Sequence, residues 1–266
     1  MSDNRPIGIF DSGVGGLTVF KEVASLLPEE DVVYFGDTAR LPYGTRSRKT
    51  IVRYARECAD FLMAEGAKII VVACNTASSV AVEHLRTSLD VPVVGVVEAG
   101  AREGLRETRT KRIGVIGTRA TVRSGSYRKA IHALDEAAIV VSRSCPLFVS
   151  LVEEGWTDDA VTREVARRYL GFVRAARVDT LVLGCTHYPV LREVITETVG
   201  AKVRLVDSGK GVARYVRTVL TKEGIRSGRR GRAGYRFYVS DEPGRLTELS
   251  KRFIGRQVRF HIRRTK

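Results

Sequence analysis

Paired cysteines, long apolar runs and a balancing number of acidic side chains are all missing from this sequence. Its four cysteines, Cys58, Cys74, Cys145 and Cys185, stand far apart and form no CxxC pair. That spacing disfavours a disulfide framework and a zinc knuckle, so free thiols are expected. No apolar run is long enough to cross a bilayer, and MSDNRPIGIF passes into a strand-like run without a charged-then-apolar leader. A soluble, cytoplasmic protein with no membrane partner is expected. Thirty Asp and Glu stand against 45 Lys and Arg, a formal net charge of +15. The acidic deficit is concentrated, because residues 222 to 266 hold 14 basic and 4 acidic side chains. Such a segment is either a solvated face of an Arg-rich chain or a salt-sensitive surface for nucleic acid or an acidic protein, densest at Arg226, Arg229, Arg230, Arg232 and Arg236. Size is not lacking: 266 residues, 44% hydrophobic, can bury one large core or two smaller ones.

Short apolar runs of strand length recur at Ile7 to Phe10, Val32 to Phe35, Ile69 to Ala73, Val93 to Val97, Ile113 to Ile116, Ile139 to Val141, Leu181 to Leu183 and Val203 to Val206. Helical spacing lies between many of them, as in Gly16 to Leu27, Thr50 to Ala64, Ser78 to Leu89 and Asp158 to Ala175. Strands alternating with helices predict mostly parallel α/β sheets, whose chemistry gathers at the carboxyl ends of strands. The halves also resemble each other. IGIFDSGVGG from Ile7 is similar to IGVIGTRATV from Ile113, and IIVVACNTAS from Ile69 to TLVLGCTHYP from Thr180. Two related lobes are the natural reading.

Three strand ends could carry chemistry. Asp11-Ser12-Gly13-Val14-Gly15-Gly16 offers tight turns, a capping side chain and backbone N–H groups for an anion, or is simply a structural turn; its spacing is not the dinucleotide fingerprint GxGxxG. Cys74-Asn75-Thr76 and Cys185-Thr186-His187 each place a thiol directly after a buried-looking strand. A cysteine there faces the start of the next helix, whose dipole favours thiolate. Either cysteine alone reads as a small buried hydrophobe. Their repetition points instead to two thiols bracketing one carbon atom: one removes a proton, the other returns one to the opposite face, and configuration inverts without a redox or metal cofactor. Asp11, Glu153 and His187 are candidates to adjust protonation, although Asp11 also reads as a helix cap and Glu153 as a solvated carboxylate. Packing accounts for Cys58 and Cys145, and no metal-binding pattern surrounds His84, His132 or His261.

Five ordered segments, FDSGVGGLTV, FGDTARLPYG, VVACNTAS, CPLFVSLVEEG and LGCTHYPVL, together resemble glutamate racemase over nearly the whole chain. The resemblance implies a cofactor-independent enzyme, without a metal, that interconverts L- and D-glutamate and supplies D-glutamate for peptidoglycan. It implies an α/β fold of two pseudo-symmetric lobes, each with a mostly parallel sheet flanked by helices and the active site between them. The first lobe would be residues 1–97 with 210–266, and the second 98–209. Cys74 and Cys185 would be the acid/base thiols, with Asp11 assisting Cys74, and His187 and Glu153 assisting Cys185. Substrate contacts would come from Asp11, Ser12, Tyr43, Gly44, Asn75, Thr76, Thr186 and His187, joined by Thr118 and Thr121. The motif loops hold little Arg or Lys beyond Arg40, so hydroxyls, amides and helix-start N–H groups are expected to bind the two carboxylates. Ser150 departs from the pattern, where many relatives have proline. The family also permits a homodimer and, for the basic C-terminal segment, contact with DNA gyrase. Aspartate is the alternative substrate.

Overall fold

The computed structural model describes residues 2–229, 231–242, 244 and 246–263. Its first half alternates β1 (Ile7–Asp11), α1 (Leu17–Leu26), β2 (Val32–Gly36), α2 (Arg48–Ala64), β3 (Ile69–Val72), α3 (Asn75–Ser88), β4 (Val93–Gly95) and α4 (Val96–Glu107). The pattern then repeats with β5 (Arg112–Gly117), α5 (Arg119–Ser124), α6 (Ser126–His132), β6 (Ile139–Ser144), α7 (Leu147–Glu154), α8 (Ala160–Ala175), β7 (Thr180–Gly184), α9 (Arg192–Val199), β8 (Arg204–Asp207) and α10 (Ser208–Lys222). Last come β9 (Tyr235–Val239), α11 (Leu246–Ile254) and β10 (His261–Ile262). No helix of the described residues is long and apolar enough to cross a membrane.

All pairings are parallel and make two sheets, ordered β10-β9-β2-β1-β3-β4 and β6-β5-β7-β8. The order β2-β1-β3-β4 recurs as β6-β5-β7-β8, so the similar sequence segments occupy equivalent strands. Successive side chains along a strand point to opposite faces. In β1 and β3, Ile7, Ile9, Ile69 and Val71 join a core shared with α1 and α10. Their neighbours Phe10, Ile70 and Val72 join a second core under α2 and α3. In the other sheet Leu181 and Leu183 face the shared core, and Val182 faces a third with Ile113, Val115 and Tyr127. Because both faces are covered, these strands read as unbroken apolar runs. Each fully buried aliphatic side chain contributes about 1.5–3 kcal/mol.

The chain returns to the first sheet through β9, whose Tyr235 pairs with Val32 and Val239 with Gly36. Ser240, just beyond β9, donates its hydroxyl to Asp37 Oδ1 at 3.0 Å and accepts the Ala39 N–H at 2.9 Å. At the amino ends of the strands, Lys68 Nζ lies 2.6 Å from Glu30 Oε2, with both side chains fully buried. Three of the C-terminal arginines pair with acidic groups of the first half: Arg226 with Glu29, Arg229 with Asp31 and Arg236 with Glu65. Arg230 lies outside the described residues.

Candidate active site

The carboxyl ends of β1, β3, β5 and β7 converge on one cavity of about 560 Å³. Cys74 follows β3 and Cys185 follows β7, the equivalent strands of the two sheets, and both thiols line this cavity. Ser12, Asn75, Thr76 and Thr118 line it too, as do Thr186, His187 and Glu153. Asp11 and Thr121 sit just behind the wall. Thr121 closes a hydroxyl triangle with Thr76 (3.4 Å) and Thr118 (3.0 Å), whose own hydroxyls are 2.9 Å apart. These threonines come from α3 and the start of α5, so the triangle links an element flanking the first sheet to one flanking the second.

The surroundings of the two thiols differ. Cys74 caps α3: its sulfur accepts the Ala77 N–H at 3.5 Å and donates to Ser12 Oγ at 3.5 Å. The Ala77 N–H at the start of α3 favours thiolate, as does the Ser12 hydroxyl once it turns to donate, yet burial and then the neighbouring Asp11 prevail and the thiol is pushed up to about 12. Asp11 is fully buried, with Oδ2 accepting N–H groups of Gly13 (3.2 Å) and Gly16 (3.0 Å) and Oδ1 without a partner. Burial raises its carboxyl, against the opposing pull of His187 and of those backbone donors.

Cys185 is separated from the next α-helix, α9, by a 3₁₀ turn, Tyr188–Leu191. Its electrostatic partner is a side chain. Cys185 Sγ lies 3.9 Å from His187 Nδ1, and His187 Nε2 lies 3.1 Å from Glu153 Oε1 on the last turn of α7. Burial would lower the imidazole, but contact with Cys185 and Glu153 outweighs it and the group rises from 6.5 to about 10. His187 is therefore a cation at neutral pH. The edge of the Phe253 ring, from α11, packs on it at 5.5 Å and 85°. Gly15 explains the glycine-rich turn: a Cβ there would lie 2.5 Å from Thr186 Oγ1 and 2.7 Å from His187 Nδ1, so only hydrogen fits between the two strand-end loops.

The sequence profile of the Asp/Glu/hydantoin racemase family matches residues 7–216. The chain belongs to this racemase family. A glutamate racemase of Geobacter metallireducens is 52% identical over 251 residues, covering 94% of this chain and 93% of that one. A glutamate racemase structure from Bacillus anthracis superposes with a TM-score of 0.94 at 36% identity, covering 98% of each chain. One from Francisella tularensis, in complex with D-glutamate, gives 0.92 at 37% identity and 99% coverage of each. The fold class and the enzyme class, an amino-acid racemase, are thereby established.

Several features of this racemase-family site escaped the sequence reading. Tyr43 is a wall and not a free hydroxyl, because its O–H donates to Asp37 and approaches Cys58 Sγ at 3.8 Å. Burial, then Cys58 and Asp37, push the phenol upward. Arg40, the one motif cation, points away from the cavity and pairs with Asp37 and Glu57. Arg119 lines the cavity instead; only its place after a strand-end threonine hinted at it. Gly44 packs on Thr118, where an added Cβ would approach to 3.0 Å. Asn75 accepts the Tyr127 hydroxyl at 2.6 Å, leaving its buried Nδ2 without a partner, and nothing in the motifs pointed to Tyr127. Ser150, the departure from the family pattern, lines the cavity beside Leu147 and Tyr169. Cys58 and Cys145 are buried away from it.

Proposed function

We propose that this racemase interconverts L- and D-glutamate by two-thiol proton transfer without a cofactor. The single observation that carries the reading is the position of Cys74 and Cys185 on one cavity, delivered by equivalent strands. The His187 cation beside Cys185 stabilises negative charge on that sulfur, while Cys74, pushed up to about 12, holds its proton. In this reading Cys185 acts as the base and Cys74 as the acid. With glutamate bound between them, the Cys185 thiolate takes the α-proton, forming S–H as C–H breaks, and the pair of electrons moves into the α-carboxylate. Cys74 delivers its proton to the opposite face and becomes thiolate. The reverse reaction exchanges the roles.

Ser12, Gly44, Asn75, Thr76, Thr118 and Thr186 provide the polar surface for the two carboxylates, with Asn75 Nδ2 as an uncommitted buried donor aligned by Tyr127. Thr121 supports the threonine triangle, and Tyr43 shapes the side-chain end of the cavity. Cytoplasmic supply of D-glutamate for peptidoglycan is the corresponding role, and the two sheets correspond to lobes 1–97 with 210–266 and 98–209.

Purified protein incubated with either enantiomer in heavy water, with pyridoxal phosphate and metal excluded, should incorporate deuterium at the α-carbon and lose optical activity. Cys74→Ala and Cys185→Ala should each stop inversion while remaining folded by circular dichroism. Near-normal turnover in either variant refutes that cysteine's role, and the absence of both exchange and inversion in the parent refutes the function.

A further inference from the structure

Among the described residues, Arg119 is the one cationic side chain besides His187 on the cavity lining, and Glu153 is its one carboxylate. It stands at the first position of α5, exposed, and has no ion pair among the described residues. Arg46 and Arg48 follow the cavity-lining Thr45 in sequence, and Arg123 lies one turn beyond Arg119. These three arginines line a neighbouring depression of about 170 Å³ that has no acidic side chain, and they too have no ion pair among the described residues. The four come from both sides of the cleft. Arg46 precedes α2 and Arg48 opens it, Arg119 and Arg123 belong to α5, and the two stretches touch where Gly44 packs on Thr118. Arg40, by contrast, is neutralised by Asp37 and Glu57.

We infer that Arg119, supported by Arg46, Arg48 and Arg123, forms a cationic collar at the cavity mouth that captures amino acids carrying a side-chain carboxylate. This deepens the glutamate reading and rests on it. Glutamate has two carboxylates and one ammonium, a net charge of minus one, whereas glutamine is neutral. The interior offers hydroxyls and amides that suit either, so the unpaired guanidinium is the feature that separates them. An exposed cation attracts weakly and through solvent, so the collar acts on capture and on its salt dependence, not on proton transfer.

Calorimetric binding of D-glutamate to the parent protein, Arg119→Gln and Arg119→Lys, at about 20 mM and about 0.5 M salt, tests this. At low salt Arg119→Gln should bind about three- to fivefold more weakly than the parent, the size of one exposed ion pair. The two should converge at high salt, Arg119→Lys should stay within about twofold of the parent, and glutamine binding should be the same in all three. Turnover should change in parallel, with KM raised and kcat little changed. Equal affinity of Arg119→Gln and the parent at low salt overturns the inference. So does a loss that is the same at both salt concentrations and is not restored by lysine, since that is a packing effect. Aspartate separates the two levels of the argument: if the parent binds aspartate but not glutamate, and Arg119→Gln loses that binding in the same salt-dependent way, the collar stands and the glutamate reading falls.

Discussion

Replacing Glu153 by glutamine keeps the shape of the His187 partner and removes its charge. In the parent the imidazole is raised from 6.5 to about 10 although burial acts downward, so the contacts with Cys185 and Glu153 prevail. At 4 Å and an effective dielectric of about 20, a charge pair is worth about 4 kcal/mol. Glu153 is 32% exposed, and solvent screening at that end reduces the figure to about 1–2 kcal/mol. At about 1.4 kcal/mol per pKa unit, His187 in Glu153→Gln should titrate about one unit lower. Nitrogen-15 shifts of the imidazole, followed from pH about 6 to about 11, measure this without reference to turnover. Activity should report it too, because deprotonating His187 removes the cation beside Cys185. The alkaline fall in kcat/KM should therefore begin about one unit earlier in the variant. The sign for stability is fixed by the raised value. The pair stabilises the fold fully below the unfolded value of 6.5 and loses that contribution as pH rises through about 10. Glu153→Gln should thus lower Tm most below pH about 6.5 and hardly at all above about 10. A parent imidazole that titrates near 6.5, or one that glutamine leaves unmoved, refutes the reasoning and returns Glu153 to a solvated carboxylate.

Gly15→Ala places a methyl 2.5 Å from Thr186 Oγ1 and 2.7 Å from His187 Nδ1. It should cost about 1–3 kcal/mol in stability and a larger share of turnover, read by thermal melting and by racemisation rate. Unchanged turnover would mean that the two loops separate freely. Tyr127→Phe removes the donor that holds Asn75 Oδ1 at 2.6 Å; KM should rise about fivefold, the worth of one neutral hydrogen bond, with no change in the alkaline limb. Lys68→Met leaves Glu30 buried without its cation. It should cost about 3–5 kcal/mol, and Lys68→Met with Glu30→Leu should recover most of the loss in urea melts. Equal losses in the single and double variants would argue against a buried charge as the cause.

Strands buried on both faces were legible because an apolar run needs no periodicity to declare itself, and β1, β2, β3, β5 and β7 fall on such runs. β9 was not seen. Tyr-Arg-Phe-Tyr-Val is interrupted by the exposed Arg236, which leaves an apolar run of three, and it lies inside an arginine-rich segment. Val96 and Val97 extend the β4 run in sequence but open α4 in space, since side chains that suit a buried strand equally suit a buried helix, Val96 on the shared core and Val97 on the third. At the site, the five motifs brought together Ser12, Cys74, Asn75, Thr76, Cys185, Thr186, His187 and Glu153 on one cavity. What they could not supply is direction. Tyr43 and Arg40 lie in a motif loop yet turn to Asp37, because a buried carboxylate already holding Ser240 attracts the nearest donors. Arg119, outside the five family motifs, lines the cavity and has no acidic partner among the described residues.

The near-equivalence of the two sheets is less important to the proposed chemistry than the point at which it breaks. Equivalent strands are enough to set two sulfurs across one cavity. Two thiols in identical surroundings would share one protonation preference, and a pair of thiols or a pair of thiolates cannot both take and give a proton in the same passage. The asymmetry lies in the segment that succeeds each strand. After β3 comes an α-helix, which favours thiolate, but burial of the sulfur and then the buried Asp11 behind it prevail and keep Cys74 protonated. After β7 a 3₁₀ turn, Tyr188–Leu191, intervenes before α9, so Cys185, unlike Cys74, is not the cap of an α-helix, and His187 stands beside the sulfur instead. Carboxylate behind one thiol and imidazolium beside the other push the two apart in protonation, which is how paired titratable groups acquire separate acid and base roles. Exchanging a partner should therefore matter more than exchanging a strand neighbour: Asp11→Asn should make Cys74 easier to ionise, and thiol alkylation at neutral pH should become faster at Cys74 while slowing in His187→Asn at Cys185. If both alkylation rates are indifferent to these changes, the asymmetry of partners is not what assigns the roles.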